Sequence, residues 1–426
     1  MHEILQSLRF FRMTRRVYQR ALKTEVKTLE IQCFDFSSVY RLQSTPMPGR
    51  ELRLRSTRKF ISDTKWGNVR QFNSDCEGPI VLNDNALELA AHFIPRGEDF
   101  FSRLSKYDDY LVDVLKKPGY RAGSTLKMIL PFLMAFGATN KKIEYYSLYH
   151  IKLVPGAIEA FKYIQSKMPL FLVSTSYSPF ALALGEKLGV SPENVYSTRL
   201  DLDRYEIDAS EAIRLKELVK EILELPDIES PHQLNSPEYL SPQTKATIHR
   251  LDRIIWQDVM MMKCGRVLHE VNPIGGIEKA KAVENSVEKM GSDISGVVYA
   301  GDSITDAEAL SLVRENGGLA VSFNGNSYAI EAADIACISP HAVVSAILAD
   351  VFQREGKEGA MHLASNWSPV VLRESAIDGS LLAKLFSEFP ADLPIVKVVT
   401  EEEKDEIVRQ SEAYRKYLRG KAGALG

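Results

Sequence analysis

From about residue 67 onward, short apolar runs alternate with longer stretches in which apolar positions recur at helical spacing. Leu170-Phe171-Leu172-Val173 reads as a buried strand ending at Ser174-Thr175-Ser176. The positions Phe180, Leu182, Leu184 and Leu188 that follow predict a helix, and Gly189 stands where a C-cap belongs. Val195-Tyr196-Ser197-Thr198, Val297-Val298-Tyr299-Ala300, Gly318 to Phe323 and Ile335 to Ile338 are further strand candidates. Strands separated by helical pattern predict an α/β fold with a right-handed, mostly parallel sheet. Ligands of such sheets bind beyond the carboxyl ends of the strands.

Two stretches break this rhythm. Residues 84–150 and 201–272 are helical in pattern, and each is too long to be a plain loop in a compact domain. They are expected to be helical insertions covering the sheet's active edge. The core would then comprise residues 67–83, 151–200 and 273–350, followed by a helical C-terminal extension over 351–426 that ends in a charged helix from Glu401 to Arg419.

Composition changes the picture only at the N-terminus. The chain of 426 residues is 45% apolar and 26% charged, as expected of a globular protein. Its net charge of −3 conceals an asymmetry: residues 1–70 carry 15 Lys and Arg against 6 Asp and Glu, and the remainder carries 38 against 50. Residues 1–66 are therefore a basic head, expected to be a poorly ordered extension, on an acidic body. The acidic body argues against nucleic acid as a partner. No run approaches the ~18 apolar residues of a membrane span. The four cysteines have no metal-binding spacing and fit a reducing cytoplasm.

The candidate chemistry lies where strands end. Val297–Ala300 runs into Gly301-Asp302, and Asp306 follows four residues later. Two carboxylates at that edge are hard oxygen ligands suited to Mg²⁺. Phosphoryl transfer through an aspartate needs a carboxylate nucleophile, Mg²⁺ and a lysine to screen the phosphate, a hydroxyl and backbone N–H groups to hold it, and an acid/base for the leaving group. Three segments compete to supply the nucleophile: Asp75 in Ser74-Asp75-Cys76-Glu77-Gly78-Pro79, Asp84 in Ile80 to Ala86, and Asp35 in Gln32 to Ser37. Asp75 is preferred, because an acidic residue stands two positions on and Gly78 permits a tight turn. The strand before it, Val69-Arg70-Gln71-Phe72-Asn73, is unusually polar.

These blocks resemble the motifs of the haloacid dehalogenase superfamily. Asp75 to Pro79 is similar to its first motif, Leu172-Val173-Ser174 to the second, Gly275-Gly276-Ile277-Glu278-Lys279 to the third and Gly301 to Asp306 to the fourth. Lys279 precedes Asp302 by 23 residues, as in phosphoserine phosphatases. A narrower resemblance, carried by Asp75–Pro79, Asn83–Ala86, Val271–Gly276, Gly301–Asp306 and Ser322–Asn326, is to an archaeal and bacterial group labelled energy-converting hydrogenase A subunit R.

The resemblance implies a Rossmann-like core with two caps. It implies that Asp75 attacks phosphorus, and that Glu77 protonates the leaving oxygen and then activates water. Mg²⁺ would be held by Asp75, Asp302, the Glu77 carbonyl and Asp306. Ser174 and Lys279 would hold the phosphoryl group with help from Cys76, Glu77 and Thr175. Glu77 departs from the family's second Asp, and Pro79 from its Thr. Two readings follow: a phosphatase of a small phosphorylated metabolite, or a non-catalytic accessory subunit that binds a metabolite or a protein partner.

Overall fold

The computed structural model describes residues 69–117, 120, 122–229, 240–420 and 422–424. The basic head, and with it the rival segment around Asp35, lies outside the described residues.

The strands β1 (Gln71–Ser74), β2 (Leu170–Tyr177), β3 (Val195–Thr198), β4 (Val297–Gly301), β5 (Leu319–Phe323), β6 (Ile335–Ile338) and β7 (Ile395–Val398) form one sheet in the order β3-β2-β1-β4-β5-β6-β7. All neighbours are parallel except β6 and β7. From β1 the chain builds outward through β2 to β3, and from β4 it builds the other way. The order therefore reverses between β1 and β4, where a crevice opens at the carboxyl edge. Ser74 is in register with Ala300, so Asp75 and Asp302 leave their strands side by side.

The sheet is covered on both faces, as parallel sheets are. Phe72, Val298, Val321 and Ile335 point into a core shared with the helix Val343–Ser365. The alternate positions Val297, Tyr299 and Ala320 pack against Ala282 and Val283 of the helix Ile277–Met290. The antiparallel strand β7 lies in a segment expected to be helical throughout. It is a four-residue edge strand whose pattern is too short to separate from its helical surroundings.

The polarity of β1 has a structural cause. Gln71 and Asn73 are fully buried, and both donate to the hydroxyl of Ser286, at 2.7 Å each. Ser286 in turn donates to the Val283 carbonyl at 2.7 Å. This satisfied network ties the first strand to the helix that carries Lys279, fixing the offset between them.

The two helical stretches share one core. Leu104, Tyr107, Met128 and Leu133 from the first pack with Leu215, Leu218, Leu251 and Ile255 from the second. Tyr107 donates to Asp252 and accepts from Trp256 Nε1 at 2.9 Å. The two insertions thus complete each other's hydrophobic interior.

One buried acid in this body sets a pH dependence. Burial pushes the Asp108 carboxyl up to about 6, against the opposing pull of the Thr125 N–H and hydroxyl and of Tyr120. A carboxyl whose folded pKa exceeds its unfolded value near ~3.9 favours the fold below that value, and loses the contribution as pH rises through the folded pKa. Asp108→Asn should therefore match the native protein at pH 4 and exceed it by roughly 2–3 kcal/mol at pH 8. Thermal unfolding of both proteins across that range checks this; a difference that does not vary with pH refutes it.

Candidate functional site

The loop after β1 is held to β4 by its backbone, since the Asp75 N–H donates to the Ala300 carbonyl at 2.8 Å. The Asp75 carboxylate accepts from its neighbour, the Cys76 N–H, at 2.7 Å. Gly78 follows with φ +95°, and a Cβ there would lie 2.3 Å from Asp302 Oδ2. The turn from β1 and the end of β4 are thus pressed together at a point where only glycine fits. Gly78→Ala should displace Asp302, lower stability by about 1–3 kcal/mol and weaken Mg²⁺ binding. A calorimetric Mg²⁺ titration indistinguishable from the native one would contradict this.

Lys279 lies in the first turn of Ile277–Met290, on the buried stripe Lys279, Ala282, Val283 and Ser286. Its ammonium is fully buried, 2.8 Å from Asp75 Oδ2 and 2.8 Å from Asp306 Oδ1. Burial opposes its charge, yet Asp306 and Asp75 more than compensate and hold its pKa above the ordinary lysine value. Asp306 also accepts from the Tyr299 hydroxyl at 2.7 Å and from the N–H groups of Asp302 and Ser303 at 3.1 and 3.2 Å. Burial would raise the Asp306 pKa, but Lys279 and these hydrogen bonds outweigh it and lower it. Asp75 has fewer donors: burial first, and then the Asp306 charge, push its carboxyl well above the usual range despite Lys279.

Asp75, Asp302 and Asp306 offer carboxylate oxygens within 4.8 Å of one another, all buried. Hard oxygens at that spacing suit a small divalent cation. Asp306, with both oxygens already engaged by donors, is better placed to orient the others than to ligate. The rival Asp84 is spent elsewhere, capping the helix Asn85–Phe93 by accepting from Leu87 N at 2.9 Å.

Beyond these carboxylates lies a cavity of about 90 Å³, bounded by the sheet edge on one side and the helical body on the other. Glu77, Thr175 and Ser176 line it, as do Phe101, Asp108 and Thr125. Glu77 accepts from Asn85 N at 2.8 Å and from the Ser176 hydroxyl at 2.5 Å. Burial, with help from Asp84, pushes its carboxyl up to about 7, where it can exchange a proton at neutral pH.

Two of the expected phosphate contacts, Ser174 and Cys76, make hydrogen bonds within the loop and strand themselves. Ser174 does not line the cavity; its Oγ is fully buried and accepts from Ser176 N at 3.1 Å. Beyond Ser174 the pairing of β2 with β3 shifts register. Thr175 reaches the cavity, and its buried hydroxyl has no hydrogen-bond partner. Cys76 spends its N–H on Asp75, and burial pushes its thiol pKa up.

The least expected residues come from the C-terminal helix Lys404–Arg419. Arg419 reaches Asp302 Oδ2 at 2.6 Å and the Asn83 carbonyl at 2.8 Å. Arg415 reaches the same carboxylate oxygen at 3.2 Å and the Asp302 carbonyl at 3.2 Å. Ile407, Ser411, Arg415 and Arg419 recur every fourth residue, the one sequence signal for this buried face. Charged residues all round the helix masked it.

Comparison with known proteins gives a limited picture. No family model matches the chain, and no curated protein matches it. Among solved structures, the gene product AF1437 from Archaeoglobus fulgidus is 29% identical, with a TM-score of 0.68 over 84% of this chain and 99% of that one. A phospho-aspartyl intermediate analogue of phosphoserine phosphatase is 14% identical, with a TM-score of 0.38 over 63% of this chain and 92% of that one. The haloacid dehalogenase-like family protein SP0104 from Streptococcus pneumoniae is 13% identical, with a TM-score of 0.28 over 65% and 98%. AF1437 shares the fold; the other two scores are too low to carry an argument.

Proposed function

We propose that the chain is a haloacid dehalogenase-like, Mg²⁺-dependent phosphohydrolase acting on a small phosphomonoester. One observation carries the reading. At the crevice where the strand order reverses, a buried lysine sits 2.8 Å from each of two carboxylates, and a third carboxylate stands within 4.8 Å of both. A structural ion pair needs one acid and one base; here three carboxylates converge at one point beside a cavity.

In this reading Asp75 attacks phosphorus and the phosphoryl group passes to its carboxylate oxygen. Glu77, with its pKa about 7, gives its proton to the departing oxygen, then takes one from the water that cleaves the aspartyl-phosphate and frees inorganic phosphate. Lys279 holds a phosphoryl oxygen while keeping Asp75 oriented. Thr175, with its unpartnered hydroxyl, offers the hydroxyl contact to the phosphoryl group. The donor set fits Mg²⁺: Asp75 and Asp302, with the Glu77 carbonyl as a further ligand and Asp306 behind them. When bound, the ion screens the charge of the phosphoryl group. The cavity of about 90 Å³ is below the ~300–1,000 Å³ usual for ligand pockets, so it suits a phosphoryl group on a small substituent.

The test is phosphate release from a panel of small phosphomonoesters, with and without Mg²⁺. Metal-dependent release from any of them supports the phosphatase. The second reading, a non-catalytic accessory subunit, draws on the Glu77 and Pro79 substitutions and on the hold that two arginines have on Asp302. The matched structures lend no support to an association with a hydrogenase. A folded chain that binds Mg²⁺ and releases no phosphate from the whole panel would decide for that second reading.

A further inference from the structure

The C-terminal helix brings two guanidinium groups to the wall of the cavity that Asp75 and Thr175 also line. Both are 4% exposed, and both hold the same oxygen of Asp302. Each nitrogen of Arg419 has one partner, at Leu82, Asp302 or Asn83. Arg415 differs, because its buried Nε–H has none. A guanidinium buried with an unspent donor, in a polar cavity beside a carboxylate, is disposed to take an anionic oxygen.

Both arginines hold one oxygen of Asp302, so a cation that takes that oxygen must displace them and free their donors.

We propose that Arg415 and Arg419 form an anion-binding subsite for the phosphoryl group: they hold Asp302 in the metal-free protein and turn to phosphoryl oxygens when Asp302 takes a divalent cation. Metal and phosphate therefore bind as a coupled pair, each strengthening the other. This rests on the metal-site reading above and adds to it a competition for one carboxylate oxygen. Arginine suits the task, since its planar fork matches carboxylate and phosphate oxygens alike.

The experiment is calorimetry on the full chain, titrating Mg²⁺ alone and then inorganic phosphate at saturating Mg²⁺. In the native protein, saturating phosphate should tighten Mg²⁺ binding at least about tenfold, within the usual range of coupling between sites. Arg415→Met and Arg419→Met should each bind Mg²⁺ alone about tenfold more tightly and bind phosphate about tenfold more weakly. Opposite changes of this kind do not arise from damage to the fold. Arg419 lies in the last turn of its helix, so Arg419→Met and the charge-retaining Arg419→Lys keep the test sound if substitution at Arg415 disturbs packing. Arg419→Lys should fall between native and Arg419→Met on both measures. Unchanged affinities, or affinities that weaken together, would make the arginines braces of Asp302 and overturn the proposal. Failure of the metal site itself reads differently: the native chain would not bind Mg²⁺, or Asp302→Asn would bind it as well as the native protein does.

Discussion

Replacing Asp75 with asparagine is expected to reduce Mg²⁺-dependent phosphate release by at least about 10⁴-fold, the scale of loss when a covalent nucleophile is removed. The fold should not suffer. Asp75 is buried and its carboxyl is pushed well above the usual range, so its ionised form opposes folding at neutral pH. Asparagine keeps the shape, can still accept from the Cys76 N–H, and leaves Lys279 paired with Asp306. Thermal unfolding at pH 7 should therefore be unchanged or higher in the variant. Active sites are where such unfavourable charges are retained, because the chemistry requires them. Residual release within tenfold of native would remove Asp75 as nucleophile and reopen the case for another residue.

Lys279→Met should have the opposite profile, losing both activity and stability. Removing one partner of a buried ion pair costs about 3–5 kcal/mol, because the remaining charge is left without compensation. Here a single ammonium serves two carboxylates, Asp75 and Asp306, each at 2.8 Å. Without it, one of them must take up a proton to remain buried. The loss should therefore be larger at pH 8 than at pH 5, where that proton is supplied more cheaply. Denaturant unfolding at both pH values measures the difference. A variant as stable as the native protein at pH 8 would show that the lysine contributes nothing net to the fold. The contrast between the two variants is itself informative, since Asp75 and Lys279 touch each other but are expected to differ in sign for stability.

Much of the sheet was legible along the chain. The apolar runs at β2, β4, β5 and β6 coincide with observed strands to within a few residues, because strands buried on both faces are predominantly apolar. The meeting of Asp302 and Asp75 followed from the same logic, since both lie just beyond strand ends. The polarity of β1 could not be interpreted in the same way. Gln71 and Asn73 make sense only beside Ser286, which lies more than two hundred residues away in sequence. Lys279 in isolation looks like an exposed lysine at a helix start. Its burial becomes readable only once Ala282, Val283 and Ser286 are seen to share its face.

The phosphate contacts were harder still. Ser174 and Thr175 are neighbours on β2 and both were candidates, and only the structure places Thr175, not Ser174, in the cavity lining. Arg415 and Arg419 were hidden for a different reason. A helix with charges on every face has no apolar stripe to mark its buried side, and an arginine can be buried at all only where a partner is waiting.

By itself, then, the sequence determined the alternation of strands and helices, the carboxylates placed at strand ends and the glycine that lets the first loop turn. These depend on local pattern and on rules of chain connection that hold across parallel sheets. The tertiary structure alone decided which helices share the second hydrophobic core, which hydroxyl faces the cavity and which cations hold Asp302. Each of those depends on residues far apart in the chain meeting in a low-dielectric interior, where the cost of an unpaired polar group selects one arrangement among many that the local pattern allows.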